Sequence, residues 1–237
     1  MTAVYTKRFD NRKFDELRPM EAKVGVIKRA DGSAMFKIGK TVALAAVYGP
    51  RALHPTFMRN PEKGILRCNY NMMAFAGSGD RVRPGPSRRS KEISLVTEKS
   101  LESVLDLSEF PNTVIDVFIE LIQTDAGTRC AGITAAIMAM ADAGLIIKDM
   151  ISAVSVGVVG NKVVLDLSKE EEDYEGGAVD IPIAMTNKDG KITLLQLDGI
   201  IKKEQLYEAL ELAKASTQKI HEVQKKALLE KFMKNGI

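Results

Sequence analysis

An α+β fold is what the sequence predicts, on three observations. Short β-prone runs broken by glycine turns precede stretches of helical period, that succession occurs twice, and no segment is apolar enough to make the chain membrane-spanning or fibrous. The repeat places a boundary near residue 150 and so two units, 1–150 and 151–237. Hydrophobic residues at 45% and charged residues at 27% describe an ordinary globular chain with enough apolar matter for a sizeable core.

The elements follow in order. AKVGVIKRADGSAMFKIGKTVALAAVYGP, residues 22–50, carries turns at Asp31-Gly32 and Gly39-Lys40 between β-prone runs, the pattern of a meander. A further strand is predicted over Ile65–Phe75. Residues 76–90 combine Gly, Pro, Ser and Arg without apolar period and read as an exposed loop. From Ser90 to Leu107, the apolar residues Ile93, Val96, Leu101, Val104 and Leu105 recur at helical spacing, with Lys91, Glu92, Glu98, Lys99 and Glu102 on the wet side. Asn112–Ile122 is rich in Val, Ile and Phe, as a buried strand should be. TDAGTRCAGITAAIMAMADAG, residues 124–144, is then a helix of small residues able to bring its backbone close to a sheet.

After Gly144 the pattern restarts. Gly160-Asn161 and Asp189-Gly190 are two-residue hairpin turns, and Pro182 restricts its strand to an edge, a strand start or a bulge. Lys202–Asn235 closes the chain as a helix striped by Leu206, Leu210, Ala213, Ile220, Val223 and Ala227.

Composition excludes several functions. Cys68 and Cys130 form no CxxC pair and read as small buried thiols, and two histidines, His54 and His221, leave acid-base work to carboxylates. GxxxxGK[ST], HExxH and GxSxG are absent, as is a GxGxxG after a first strand. Aromatics at 5% with no Trp argue against base-stacking platforms. No apolar run approaches the ~18 residues of a membrane span, and MTAVYTKRFDNRKFDELRP lacks a signal-peptide core, so the expected location is the cytoplasm, with no membrane partner. Net charge is only +3, but residues 51–91 hold nine basic residues against Glu62 and Asp80. Such a local excess points to a polyanionic partner.

Three sites stand out. In Asp125-Ala-Gly-Thr-Arg129 a guanidinium stands beside the positive end of a helix, where a cation is unfavourable unless an anion joins it. Phosphate answers this: Gly127 admits close backbone approach, Thr128 offers a hydroxyl and Arg129 a fork. The plainer alternative is Thr128 as an N-cap, with Arg129 paired to a carboxylate. Arg88 and Arg89 pose the same problem at the next helix start upstream, with Arg81 and Arg83 on the preceding loop as further backbone contacts, or as merely solvated charges. EEEDYEGGAVD, residues 170–180, gathers carboxylates that suit Mg²⁺ or Mn²⁺, although Glu170–Glu172 also read as a solvated acidic loop. Asp180, between Val179 and Ile181 on a strand, demands a reason.

Six ordered blocks carry a resemblance: YGPRALHP, ILRCNYNMMAF, SRRSKEIS, DAGTRCAGITAAIMAMADAG, VLDLSKEEEDYEGGAVDIPIAM and LLQLDG. Over nearly its whole length the chain resembles the RNase PH family, most closely the phosphorolytic members that build the archaeal exosome. The resemblance implies an RNase PH-like fold of two βαβ-type halves with mixed sheets and packed helices. It implies a phosphate-dependent 3′→5′ exoribonuclease that releases nucleoside diphosphates and, in reverse, tails RNA 3′ ends. Implied partners are a single-stranded RNA 3′ end, a related inactive subunit alternating in a hexameric ring, and RNA-binding cap subunits.

Carried onto this sequence, the phosphate-binding turn falls on Gly127, Thr128 and Arg129, and the RNA-contacting pair on Arg88 and Arg89, with Arg67 as a further contact. The acidic pair of catalysis and metal binding falls on Asp180 and Asp173. Their spacing is one residue longer than the family pattern, so Tyr174 or Glu175 could stand in for Asp173. A non-catalytic RNA-binding ring subunit and a hydrolytic exoribonuclease are the alternatives. Retention of Arg129 and Asp180 favours the phosphorolytic enzyme.

Overall fold

A computed structural model describes residues 5–79 and 82–234, with the side chain of Lys234 left aside. Met20–Val24 (β1), Gly32–Ile38 (β2) and Thr41–Ala52 (β3) form the expected antiparallel meander. Ile65–Met72 (β4) and Thr113–Gln123 (β5) complete a five-stranded sheet in the order β1-β2-β3-β5-β4. β4 and β5 are parallel, so the chain crosses over between them through Arg88–Glu102 (α1), a βαβ unit.

Two boundaries differ from the sequence expectation for local reasons. β4 stops at Met72 because Met73–Ala76 closes a turn, the Ala76 N–H donating to the Met73 carbonyl at 3.0 Å. α1 starts before Ser90 because Ser87 and Ser90 form a reciprocal cap: each side-chain oxygen accepts the other's backbone N–H, at 3.0 and 2.8 Å. Arg88 and Arg89 are therefore the first two residues of the helix.

Thr128–Asp142 (α2) has twelve of its fifteen residues buried, because both sheets cover it. Small side chains make that possible. A Cβ at Gly32 would come within 2.3 Å of the Ala139 carbonyl oxygen, so β2 and α2 touch backbone to backbone. Ile133, Ile137 and Met140, none of them exposed, anchor the central core.

The second sheet has the order β7-β6-β8-β9, from Ile151–Val159 (β6), Lys162–Leu165 (β7), Ala178–Thr186 (β8) and Ile192–Leu195 (β9). Every pair in it is antiparallel, so the parallel βαβ crossover belongs to the first half alone. The connection from β7 through Lys169–Glu172 (α3) delivers β8 to the far side of β6. Lys203–Lys234 (α4) buries Ala209, Ala213, Ile220, Gln224 and Ala227 against β6 and neighbouring strands.

Pro182 lies inside β8, an interior strand. Its carbonyl accepts from the Gln196 N–H at 3.2 Å, so its missing N–H faces the same flank, where β9 has already ended. The strand is interior, and the proline leaves one rung unfilled on a flank that Gln196 and Asp198 continue beyond β9.

Candidate phosphate and RNA site

β5 runs out at Gln123 and the chain turns through Ala126 (φ +55°) and Gly127 (φ +64°) into α2. Two successive left-handed residues aim the first N–H groups of the helix outward. Gly127 is needed for its backbone angle, since an added Cβ would meet nothing closer than 3.5 Å. Gly127, not Thr128, is the N-cap, and no side chain among the described residues caps the helix. Thr128 is the first helical residue and is buried. The positive end of α2 is thus left open to the cleft.

Arg129 is four-fifths buried beside it. One Nη1 hydrogen bond goes to the neutral side-chain oxygen of Gln196, while Glu92 Oε1 stands 3.7 Å away and takes a 2.6 Å hydrogen bond from Gln196 Nε2. At 3.7 Å from a half-exposed carboxylate, Arg129 is held in place without a carboxylate hydrogen bond, and its Nε and Nη2 donate to no described residue. These donors remain available to an oxyanion.

Across from it stands Asp180 on β8. The Ser155 hydroxyl on β6 donates to its Oδ1. Burial raises the Asp180 carboxyl above its ordinary value; the Ser155 hydrogen bond and the charges of Arg129 and Arg89 oppose the rise without cancelling it.

The acidic run is not a solvated loop. Ser168 starts α3, whose helical turn sends adjacent carboxylates in different directions. Glu171 is fully buried, held by Arg8 at 2.8 and 2.7 Å and by the Tyr5 hydroxyl at 2.8 Å. Glu172 turns into the cleft, where burial first and the charge of Asp180 second push it up to about 7. Asp173 is 63% exposed at the rim, bound to Lys169 Nζ at 2.7 Å. Glu172 is therefore the carboxylate that shares the inner cleft with Asp180, while Asp173 lines only its outer part.

A cavity of ≈ 390 Å³ lies over the turn, and a second of ≈ 550 Å³ opens outward past Asp173 and Gln196. They share Arg89, Arg129, Lys169, Glu172, Asp180 and Pro182, so cationic and acidic groups face one continuous groove. Arg83 lines the inner part. Arg88 is exposed and lines neither, since consecutive helical residues point about 100° apart. Arg67 also lines neither: it projects from the exposed face of β4 and is doubly bonded to Asp116, at 2.7 and 3.0 Å. Arg81 lies outside the described residues.

Ser155 and Glu172 escaped the sequence reading. A serine in a buried strand is the only signal for the first, and it is shared with Ser152 on the same strand. For the second there was none, because which of four neighbouring carboxylates turns inward depends on Arg8, far away in sequence.

The chain belongs to the 3′ exoribonuclease family, the RNase PH family: it matches domain 1 of that family over residues 16–145 and domain 2 over residues 149–216. It is thereby an RNase PH-type phosphorolytic 3′–5′ exoribonuclease with phosphate as co-substrate. It is 50% identical over 228 residues to the exosome complex component Rrp41 of Thermococcus kodakarensis, covering 96% of this chain and 90% of that one. Among solved structures, rice Rrp46 superposes with a TM-score of 0.82 at 26% identity, covering 94% of this chain and all of that one. The Archaeoglobus fulgidus exosome with RNA bound to the active site gives 0.77 at 26% identity, covering 91% and 92%.

Proposed function

We propose that this chain is the catalytic subunit of an exosome-type assembly and degrades single-stranded RNA from its 3′ end by phosphorolysis in the groove between α2 and β8. The observation that carries the reading is the convergence there of the uncapped start of α2, Arg129, Arg89, Asp180 and Glu172. Inorganic phosphate sits at Gly127, Thr128 and Arg129. It is anionic at neutral pH and requires positioning more than deprotonation. Arg89, with Arg83 and Arg81 on the loop, receives the RNA backbone, and Arg88 flanks it. Arg67 would have to leave Asp116 to take part.

A phosphate oxygen attacks the last phosphodiester, the bond to the 3′ oxygen of the preceding nucleotide breaks, and a nucleoside diphosphate departs. The freed 3′ oxygen needs a proton. Glu172, pushed up to about 7, stands where it can supply one, with Asp180 as its companion. The same two carboxylates fit Mg²⁺ or Mn²⁺: no described group of three or more acidic, His or Cys side chains would enclose an ion, but two facing carboxylates with substrate oxygens and water suit an octahedral cation. Asp173 would join through the outer shell. When bound, such a cation supplies charge neutralisation at the leaving oxygen.

The halves 1–150 and 151–237 act as the two walls of the groove. The alternating ring with a related inactive subunit, and cap subunits above it, is supported by apolar side chains displayed around β9: Leu195, Leu197 and Ile200, the last 95% exposed. The assembly works in the cytoplasm. The test is RNA decay with and without phosphate, on this chain alone and with its ring partner. Nucleoside diphosphates that appear only with phosphate are expected; monophosphates formed without it would overturn the reading.

A further inference from the structure

We propose that Arg18, which lines neither cavity of the groove, is the positioning residue of the phosphate turn. The inference rests on the phosphorolytic reading above and adds a residue to it. Arg18 is 5% exposed. Its Nε and Nη2 donate to the two oxygens of Asp166 at 3.0 and 2.7 Å, and its backbone N–H adds a third bond there at 2.8 Å. Nη1 reaches the side chain of Asp125 at 3.3 Å. A Cβ built on Gly127 would stand 3.5 Å from Nη2, so the guanidinium lies directly behind the left-handed turn.

Each partner leads to another wall of the groove. Asp125 Oδ1 accepts the Lys169 N–H at 3.2 Å and so joins the turn to the start of α3, which carries Glu172. The Asp166 N–H donates to the Ser155 carbonyl at 2.7 Å, and the Ser155 hydroxyl holds Asp180. One planar fork thus ties the phosphate turn, the Glu172 helix and the Asp180 strand together.

Two physical needs explain a buried arginine here. A turn with a non-glycine residue, Ala126, in the left-handed region persists only when its surroundings over-determine it. The Thr41 hydroxyl on the Ala126 carbonyl at 2.8 Å supplies one constraint, and Arg18 on Asp125 supplies the other. Asp125 is also an anion at the entrance to a site for anions. Arg18 offsets that charge from behind the turn, at 3.3 Å from the Asp125 carboxylate. Lysine would retain the charge but could not bridge Asp166 and Asp125 together.

The experiment is a calorimetric titration of inorganic phosphate into the full chain, beside binding of an oligoribonucleotide and a thermal melt. Arg18→Lys and Arg18→Gln are expected to weaken phosphate binding tenfold or more while RNA affinity stays within twofold. Adding Asp125→Asn to Arg18→Gln should recover phosphate affinity at least threefold, a rescue that a merely structural role would not produce. Unchanged phosphate affinity, an equal loss of RNA affinity, absence of rescue, or failure of both single variants to melt cooperatively would each overturn the inference. Wild-type protein that binds no phosphate would instead overturn the phosphorolytic reading and this inference with it.

Discussion

The phosphate turn and the acidic run meet across one groove, yet they are built on opposite terms. From Asp125 to Arg129 the conformation is dictated by successive residues: two left-handed angles, an uncapped helix start, and an arginine as the second helical residue. From Glu170 to Asp173 the chain offers four nearly equivalent carboxylates, and their partners sort them, Arg8 from far away in sequence and Lys169 from one helical turn before. Arg8 takes Glu171 into the core, Lys169 keeps Asp173 at the rim, and Glu172 is left facing Asp180. A turn defined by backbone chemistry can be read locally; a choice among like charges is made by whatever the fold places beside them.

That contrast can be broken at several points. The largest effect belongs to the paired walls themselves: Asp180→Asn should lower phosphorolysis by about 10²-fold or more, as expected for loss of a group acting on the leaving oxygen, with RNA binding kept within twofold. Steady-state rates together with filter binding check it, and normal turnover in the variant would remove Asp180 from the mechanism.

Next comes the sorting device. Burial raises Glu171, but the Arg8 fork and the Ser168 N–H more than reverse this and hold its carboxyl below the usual value. Arg8→Met leaves that charge buried without its partner and should cost about 3–5 kcal/mol of stability, measured by urea unfolding. A loss below about 1 kcal/mol would show that Arg8 does not set the direction of the run.

A finer test separates neighbours. Glu172→Gln should slow turnover by about 10²-fold, within the range for a positioned acid, whereas Asp173→Asn should change it less than threefold. The reverse order would return the acidic pair to Asp180 and Asp173. Glu172 also predicts a pH effect with a definite sign. Its folded value of about 7 lies above its ordinary 4.5, so the folded state binds the extra proton between those values. Its ionisation costs the fold nothing below pH 4.5, and the cost grows as pH rises through 7. Glu172→Gln should therefore flatten the fall in urea midpoint over that interval, and an unchanged slope would place the titration elsewhere.

The smallest expected effect is on RNA affinity. Arg89→Ala should reduce the slope of log affinity against log salt by about 0.7, the increment for one single-strand phosphate contact, and Arg88→Ala by clearly less. Equal reductions would mean that both arginines reach the backbone when RNA is bound.

Much of this molecule was legible before any coordinates. Apolar period and glycine turns place the strands and the three long helices within a few residues, because those signals are local: a side chain's face is set by its position along its own element, whereas the four-residue α3 carries no such period and reads as a loop. The Asp125–Arg129 turn and Asp180 were legible for a related reason, each being locally unfavourable without a ligand. Local pattern could not assign Ser155, Glu172 or Arg18, nor show Arg67 bound to Asp116. Ser155, Arg67 and Arg18 owe their roles to partners 25, 49 and 148 positions away, and Glu172 owes its direction to Arg8, which holds the adjacent Glu171 across 163 positions; an electrostatic or hydrogen-bonded partnership acts through distance in space. The sequence alone determined which long elements form and where a guanidinium stands beside a helix start. The tertiary structure alone decided which carboxylate confronts Asp180 and which guanidiniums stay free, because only packing brings those charges within reach of one another.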